Sequence, residues 1–304
     1  MRIGISLTSA YRVRDPREGA RQMIERAAAA REAGLDSLFV GDHHSTGGTY
    51  YQNTPMLGRL LAEWGDAPAG CLFLLPLWNP VLLAEQVGTL ASIAQGRFII
   101  QTGLGDGRDQ FEAMGANIKQ RPSAFEESLD CVKRLLAGET VSSTGRFRFR
   151  DARVAPLPPE PVGWWLGGSA RVSVERAARL GDGWLGAPSA TPEQAARQLA
   201  TYEDACRALG KAPGVTALRR DVYVGETAAE ARAVAEPIID AGYRGFDPSA
   251  PIYGSIDEVA AKFRALGEQG YSDIIIRHLT SDHEKVLASL RRMREVRSAV
   301  AGPR

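Results

Sequence analysis

Only three of the 304 residues are cysteines, and only four are histidines. Cys71, Cys131 and Cys206 are an odd set without a paired spacing, which predicts free thiols and argues against a disulfide framework or a zinc knuckle. No apolar run approaches the length of a membrane span, and the opening residues MRIGISL lack the apolar core of a signal peptide. We therefore expect a cytoplasmic protein with no membrane partner.

Neither sign of charge dominates the composition. The chain has 37 lysines and arginines against 36 acidic residues, a net charge of +1. Because nucleic-acid binding requires a basic surface, a nucleic-acid partner is not expected. One basic cluster, formed by Arg291, Arg292, Arg294 and Arg297, is interpreted as the solvated face of a last helix.

Short apolar segments alternate with longer amphipathic ones along the chain. The predicted strands are Ile3–Leu7, Ser37–Val40, Cys71–Leu75, Gly96–Gly103, Trp164–Leu166, Gly183–Leu185, Val215–Val224 and Ile274–Ile276. The predicted helices are Arg17–Glu32, Pro55–Trp64, Pro80–Ala94, Ala124–Leu136, Ala170–Leu180, Pro192–Leu209, Ala228–Ala241, one opened by the capping box Ser255–Glu258, and one at the end of the chain. Residues 145–150 alternate like a hairpin edge strand.

Strands that are apolar throughout are typical of a parallel sheet buried on both faces. Eight β/α units in about 300 residues predict an α/β protein with one (β/α)₈ TIM barrel, spanning residues 1–304, with insertions in the loops after the strands. The alternative is an open, doubly wound sheet, which usually has fewer strands and a dinucleotide fingerprint.

Asp42, His43 and His44 follow the second predicted strand, where a barrel builds its active site. A metal site is disfavoured, because the chain offers only His278 and His283 as further imidazoles. Two interpretations stay open: a structural histidine that bonds backbone groups, or an acid–base catalyst held in one tautomer by Asp42. Adjacent residues on extended backbone point in opposite directions, so we expect one imidazole to face the site.

Two glycine-rich loops also follow predicted strands. Gly167, Gly168 and Ser169 open a helix, where free N–H groups and a hydroxyl favour an anion such as phosphate; a tight capped turn fits equally well. The loop that begins Thr102-Gly103 has an arginine, Arg108, where a dinucleotide fingerprint needs its third glycine. We interpret this loop as a wall beside a planar ligand, with a plain turn as the alternative.

The combination of motifs resembles the bacterial luciferase-like monooxygenases. The motifs are DHH (42–44), LPLWNPVLLAEQ (75–86), GRF (96–98), FEAMG (111–115), GGS (167–169) and RAARLGDGW (176–184). The resemblance implies a (β/α)₈ barrel that binds reduced FMN, or the deazaflavin F420 in close relatives. It also implies a homodimer through the helices Pro55–Trp64 and Pro80–Ala94.

Site residues follow from the same resemblance. His43 matches the active-site histidine, and Asp42 stands where luciferase has a glutamate. The implied cofactor-binding residues are Leu75, Thr102, Gly103, Gly167, Gly168 and Ser169. The Cys71–Leu72 bond matches a position where relatives have a cis peptide. Gly103 replaces the reactive thiol of true luciferases, so light emission is not implied, and residues 49–53 and 244–254 are expected to shape the substrate pocket.

We therefore expect an enzyme, a flavin-dependent oxidoreductase or monooxygenase. It would use reduced FMN from a partner reductase to oxidise a small organic substrate, with His43 assisting proton transfer. The alternative is an F420-dependent oxidoreductase that transfers a hydride between the deazaflavin and a small organic substrate. A non-catalytic flavin-binding protein is the alternative of another class.

Overall fold

Parallel strands close into a barrel in the computed structural model, which describes residues 1–301. The strands are β1 (Arg2–Leu7), β2 (Leu38–Val40), β3 (Ala69–Leu74), β4 (Phe98–Gly103), β5 (Val141–Thr144), β6 (Arg148–Ala152), β7 (Gly163–Gly167), β8 (Gly183–Gly186), β9 (Val215–Val224), β10 (Ile252–Gly254) and β11 (Asp273–His278). The barrel runs in the order β1-β2-β3-β4-β7-β8-β9-β11, and it closes where Ile3 of β1 lies opposite Ile274 of β11.

At least one helix follows each of the eight barrel strands. They are α1 (Pro16–Glu32), α2 (Asn53–Trp64), α3 (Pro80–Ile93), α4 (Arg108–Ala113), α5 (Arg121–Leu136), α6 (Arg171–Leu180), α7 (Pro192–Ala208), α8 (Ala228–Asp240), α9 (Ile256–Glu268) and α10 (His283–Ala301). Ser255 and Glu258 form the predicted capping box at the start of α9. None of the described helices is long and apolar enough to cross a bilayer.

The predicted TIM barrel is confirmed, and the open sheet is wrong because β9 pairs with both β8 and β11. All eight predicted barrel strands are present within a few residues of their predicted bounds. The predicted domain ends at residue 304, and its last three residues lie outside the described part of the chain. The sequence missed α4 and β10, because elements of six and three residues are too short to show a periodicity.

The predicted edge strand at residues 145–150 is displaced. The hairpin pairs Thr144 of β5 with Arg148 of β6, so residues 145–147 form the turn. The carboxylate of Glu127 on α5 accepts hydrogen bonds from the backbone N–H groups of Arg146 and Phe147, at 3.1 and 3.2 Å. These amides are therefore bound to α5 rather than to a neighbouring strand.

The sequence also predicts free cysteines and a cis peptide bond after Cys71. All three cysteines are free, as predicted, and all three are buried. The cis peptide bond implied at Cys71–Leu72 is not found; within residues 1–301 the cis bond lies at Ala155–Pro156. Cys71 and Leu72 instead continue β3 in regular parallel pairing with β4, opposite Ile100 and Gln101.

The inside of the barrel is filled by a layer of apolar side chains. Phe39, Ile99, Trp165, Ala217 and Ile275 pack together there. Phe39 and Trp165 lie with their ring centroids 5.4 Å apart. Because alternate residues of a strand point to the same face, the next inward side chain on each strand lies one layer nearer the carboxyl ends. The apolar layer therefore forms the floor of the space at the carboxyl ends of the strands, which those next residues line.

Gly70 tests how closely β3 and β4 approach. A Cβ added to Gly70 would lie 1.7 Å from the carbonyl oxygen of Ile99, a backbone atom of the neighbouring strand. Gly70→Ala is therefore expected to lower the free energy of unfolding by about 1–3 kcal/mol. The matched control is Gly47→Ala, where an added Cβ meets no atom within 4 Å. Urea denaturation measures both, and equal midpoints for the two variants would contradict the close approach.

Candidate active site

A cavity of about 650 Å³ opens above the apolar layer. Several lining residues stand two positions after a residue of that layer: Gly41 after Phe39, Gln101 after Ile99, Arg219 after Ala217 and Arg277 after Ile275. Ser6, Leu72 and Leu185 complete this inner wall. The cavity thus lies at the carboxyl ends of the strands, the end where barrel enzymes place their sites.

His43 lines this cavity at its rim. Its ring lies 5.9 Å from the ring of Tyr50, another lining residue, and the residue is exposed to solvent. The Nε2 of Gln52 donates to the carbonyl oxygen of His43 at 3.2 Å, and a backbone bridge joins Ala10 to Tyr50. Two loops are therefore bound together around the imidazole. Burial raises the pKa of Tyr50 to about 12, so its phenol stays protonated at neutral pH.

His44 is directed away from the cavity. Its ring contacts the ring of Trp78 at 5.6 Å, and its backbone N–H donates to Oε1 of Gln110 at 2.7 Å. Its Nε2 lies 3.1 Å from Oδ1 of Asp42, a contact without hydrogen-bond alignment. Of the two adjacent imidazoles, His43 is thus the one that lines the cavity, as expected for neighbours on extended backbone.

Asp42 is buried and fixes the loop after β2 to the end of β3. Its Oδ2 accepts hydrogen bonds from the backbone N–H of Leu74 and from Nε1 of Trp78, both at 2.8 Å. Its second oxygen faces His44 rather than His43. The carboxylate is therefore placed as an anchor of the loop, and the sequence hypothesis that Asp42 orients the active imidazole has no direct contact behind it.

Ser169 lines a second recess, of about 390 Å³, at the start of α6. Arg171, Gln194, Arg197 and Thr201 face the same recess. The N-cap residue of α6 makes no side-chain cap, which leaves the first N–H groups of the helix available. Two cationic side chains, hydroxyls and a helix N-terminus together are suited to hold an anionic tail.

The other predicted cofactor residues lie outside the linings of these two spaces. Leu75 and Thr102 are fully buried, and Gly103, Gly167 and Gly168 are partly exposed at the strand ends. At Gly168 an added Cβ would lie 2.4 Å from Cβ of Ser173, so the glycine allows the loop to approach α6 closely. Only Ser169 of the six therefore lines one of the two spaces.

Two polar atoms on side chains that line the cavity of about 650 Å³ lack hydrogen-bond partners within residues 1–301, which favours a ligand with hydrogen-bonding edges. Nε2 of Gln101 and the hydroxyl of Tyr11 are buried without a hydrogen-bond partner among the described residues, and both side chains line the cavity. Such groups cost about 1–3 kcal/mol each when left unpaired. A planar heterocycle with carbonyl and ring-nitrogen edges, such as a flavin or deazaflavin, would satisfy them.

Arg219 and Arg277 are cavity residues that the sequence interpretation missed. Arg219 lies inside the long, mostly buried strand β9, and Arg277 lies near the end of β11. A charged residue within a strand buried on both faces is the signal that was available, since such a residue must face a polar space. Within residues 1–301, no group of three His, Cys, Asp or Glu side chains is close enough to hold a metal ion.

Curated proteins and solved structures resemble this chain. An F420-dependent glucose-6-phosphate dehydrogenase from Beutenbergia cavernae is 31% identical over 176 residues, 54% of this chain and 52% of the relative. Further curated relatives have the same name, and the chain spans only about half of their length. An F420-dependent secondary alcohol dehydrogenase in complex with an F420–acetone adduct superposes with a TM-score of 0.79 at 20% identity, over 98% of each chain.

A second solved structure contains FMN. It is the oxygenating constituent of 3,6-diketocamphane monooxygenase from Pseudomonas putida, a type II Baeyer–Villiger monooxygenase, with a TM-score of 0.83, 20% identity and coverage of 99% of this chain and 98% of that chain. At these identities the structural likeness establishes the fold alone. The sequence model of the luciferase-like monooxygenases, however, matches residues 1–296. The chain therefore belongs to the luciferase-like monooxygenase family of oxidoreductase enzymes.

Proposed function

We propose that the protein is an F420-dependent oxidoreductase that transfers a hydride between the deazaflavin and a small organic substrate, with His43 moving the proton. The observation that carries the proposal is the placement of His43 on a cavity at the carboxyl ends of the barrel strands, where the polar atoms of Tyr11 and Gln101 lack partners among the described residues. The cationic recess around Ser169 adds a place for the anionic tail of such a cofactor.

F420 takes precedence over FMN in this proposal, which reverses the order expected from the sequence. The names of the curated relatives favour F420, and one structure of the same fold contains an F420 adduct. Reduced FMN with a partner reductase stays the second candidate, because another structure of this fold binds FMN. A non-catalytic flavin-binding role is the third.

The residues of the chain have separate roles in this proposal. When bound, F420 supplies or accepts the hydride. His43 takes the hydroxyl proton of an alcohol as its carbon loses a hydride, and it returns a proton to the carbonyl oxygen in the reverse direction. Tyr50 stays protonated beside it and can donate a hydrogen bond, which suits a phenol that positions an oxygen or the imidazole. The apolar floor excludes water from below.

We also propose a homodimer in which α2 and α3 contribute to the interface. Leu82 and Ile93 on α3 are 48% and 52% exposed, unusual for large aliphatic side chains. The double variant Leu82→Asp with Ile93→Asp should shift the mass in solution from dimer to monomer, because charges are costly in an apolar interface. Light scattering after size exclusion measures it. A monomeric wild-type protein at micromolar concentration would contradict the proposed dimer.

Cofactor choice is tested by titration. F420 should bind saturably and more tightly than FMN. Quenching of tryptophan fluorescence measures the binding of each. Arg197 lines the recess and makes no ion pair among the described residues, so Arg197→Met should weaken F420 binding by about tenfold. Arg291→Met, at an exposed site on α10, is the matched control and should leave binding unchanged. Tighter binding of FMN would support the second candidate, and binding of neither would reject both.

The separate roles of His43 and Asp42 predict that one substitution lowers turnover and the other lowers stability. His43→Ala should lower kcat by about 10²–10⁴-fold with little change in stability, because an exposed proton carrier is lost. Asp42→Ala should lower the free energy of unfolding by about 2–4 kcal/mol, because it strands the buried donors of Leu74 and Trp78.

Turnover of F420 and urea denaturation measure the two effects. His43→Gln is the control for the size and polarity of the side chain, because glutamine is polar but cannot accept and return a proton near neutral pH. Full turnover in both His43 variants would show that the imidazole is structural.

A further inference from the structure

The cavity wall carries positive charge that hydride transfer does not require. Four arginines line it: Arg12, Arg219, Arg244 and Arg277. The only acid among its lining residues is Asp42, whose carboxylate is already bound to Leu74 and Trp78. In a chain with a net charge of +1, this local excess belongs to the cavity rather than to the protein as a whole.

Asp221 neutralises only part of this charge. It is 1% exposed, and its Oδ1 lies 3.2 Å from Nη2 of Arg219. Its Oδ2 lies 3.1 Å from Nη1 of Arg244 and accepts from the hydroxyl of Tyr243 at 2.8 Å. Arg244 has a φ of 52°, a left-handed conformation that costs energy in a residue with a Cβ. The carboxylate thus holds two arginines in place and has both of its oxygens engaged.

Among the described residues, Arg277 is not paired directly with an acid, although the charge of Asp221 on the neighbouring strand acts on it. Its Nη2 donates to Oγ1 of Thr8 at 2.8 Å, and within residues 1–301 the guanidinium makes no ion pair. Burial, helped by the charge of Arg219, lowers the pKa of Arg277 to about 10. A guanidinium offers five N–H donors, and most of those of Arg277 have no partner within residues 1–301. These donors face the cavity, where an anion that enters can accept hydrogen bonds from them.

The fork of an arginine matches the two oxygens of a carboxylate or a phosphate group. We propose that Arg277, assisted by Arg219 and Arg244, binds an oxyanion carried by the substrate, either a carboxylate or a phosphate ester. The inference rests on the proposed function for the reaction at the other end of the molecule. It adds the class of substrate: a small alcohol or carbonyl compound with an anionic group.

The anion site and His43 share one cavity. Arg219 and Arg277 come from β9 and β11, whereas His43 follows β2 on another part of the wall. Tyr50 connects them, because the charges of Arg277 and Arg219 act on its phenol while its ring lies 5.9 Å from that of His43. A small substrate can therefore place its anionic group on the arginines and its reacting carbon near the imidazole.

Inorganic phosphate is the probe for this site. Calorimetric titration of the full chain, free and loaded with F420, should show phosphate binding in both forms. Arg277→Met should weaken the binding at least tenfold, since a charge-assisted pair of hydrogen bonds is lost. Arg277→Lys keeps the charge without the fork and should fall between the two. Arg291→Met, outside both spaces, should bind like the wild type, and the melting temperature of each variant confirms folding.

The titrations distinguish a substrate-binding site from a site for the cofactor's anionic groups and from no site at all. Equal phosphate affinity in the wild type and both Arg277 variants would overturn the site. Loss of the Arg277-dependent binding on loading with F420 would assign the arginines to the cofactor's own anionic groups and would overturn the substrate assignment. Arg277-dependent phosphate binding in a protein that fails to bind F420 would support the anion site and reject the proposed cofactor.

Discussion

Alternate side chains of each barrel strand point inward, and this spacing of two residues arranges the interior in layers. Ile99, Ala217 and Ile275 belong to the apolar floor, and the next inward residues on the same strands are Gln101, Arg219 and Arg277. A change from apolar to polar within one step of the strand therefore defines where the core ends and the cavity begins. A one-residue slip of any of these strands would place the charged side chains among the helices, which is why the register is strongly specified.

The second constraint is the attachment of the loop after β2. Asp42 is buried and holds both the end of β3 and the indole of Trp78, so the direction of the chain at His43 is set by bonds made one residue earlier. His44 fills the space beside Trp78, and His43 is directed to the cavity. Asp42 and His44 therefore hold the loop in place, and His43 is available for proton transfer.

The cavity combines an apolar floor with a positively charged wall. The arginines of β9 and β11 stand over an apolar floor, where their field is less screened than at a protein surface. Asp221 organises two of them without cancelling the charge, and Arg277 remains available. A substrate with an anionic group would be drawn into the cavity and oriented by the same side chains. Recognition and orientation would then come from one wall, and proton transfer from another.

The sequence by itself determined the barrel, its eight strands and the adjacent pair of candidate histidines, because short apolar strands, 3.6-residue helical periods and short motifs are local properties of the chain. It also identified Ser169 as a residue suited to an anion. It could not choose between His43 and His44 or separate the roles of Asp42, since those depend on Leu74 and Trp78, more than thirty residues away. Nor could it assemble the arginine wall. Arg219 and Arg277 are adjacent because β9 pairs with β11, and Asp221 of β9 binds Arg244 from the loop after α8, so their shared charge is a property that tertiary structure alone decided.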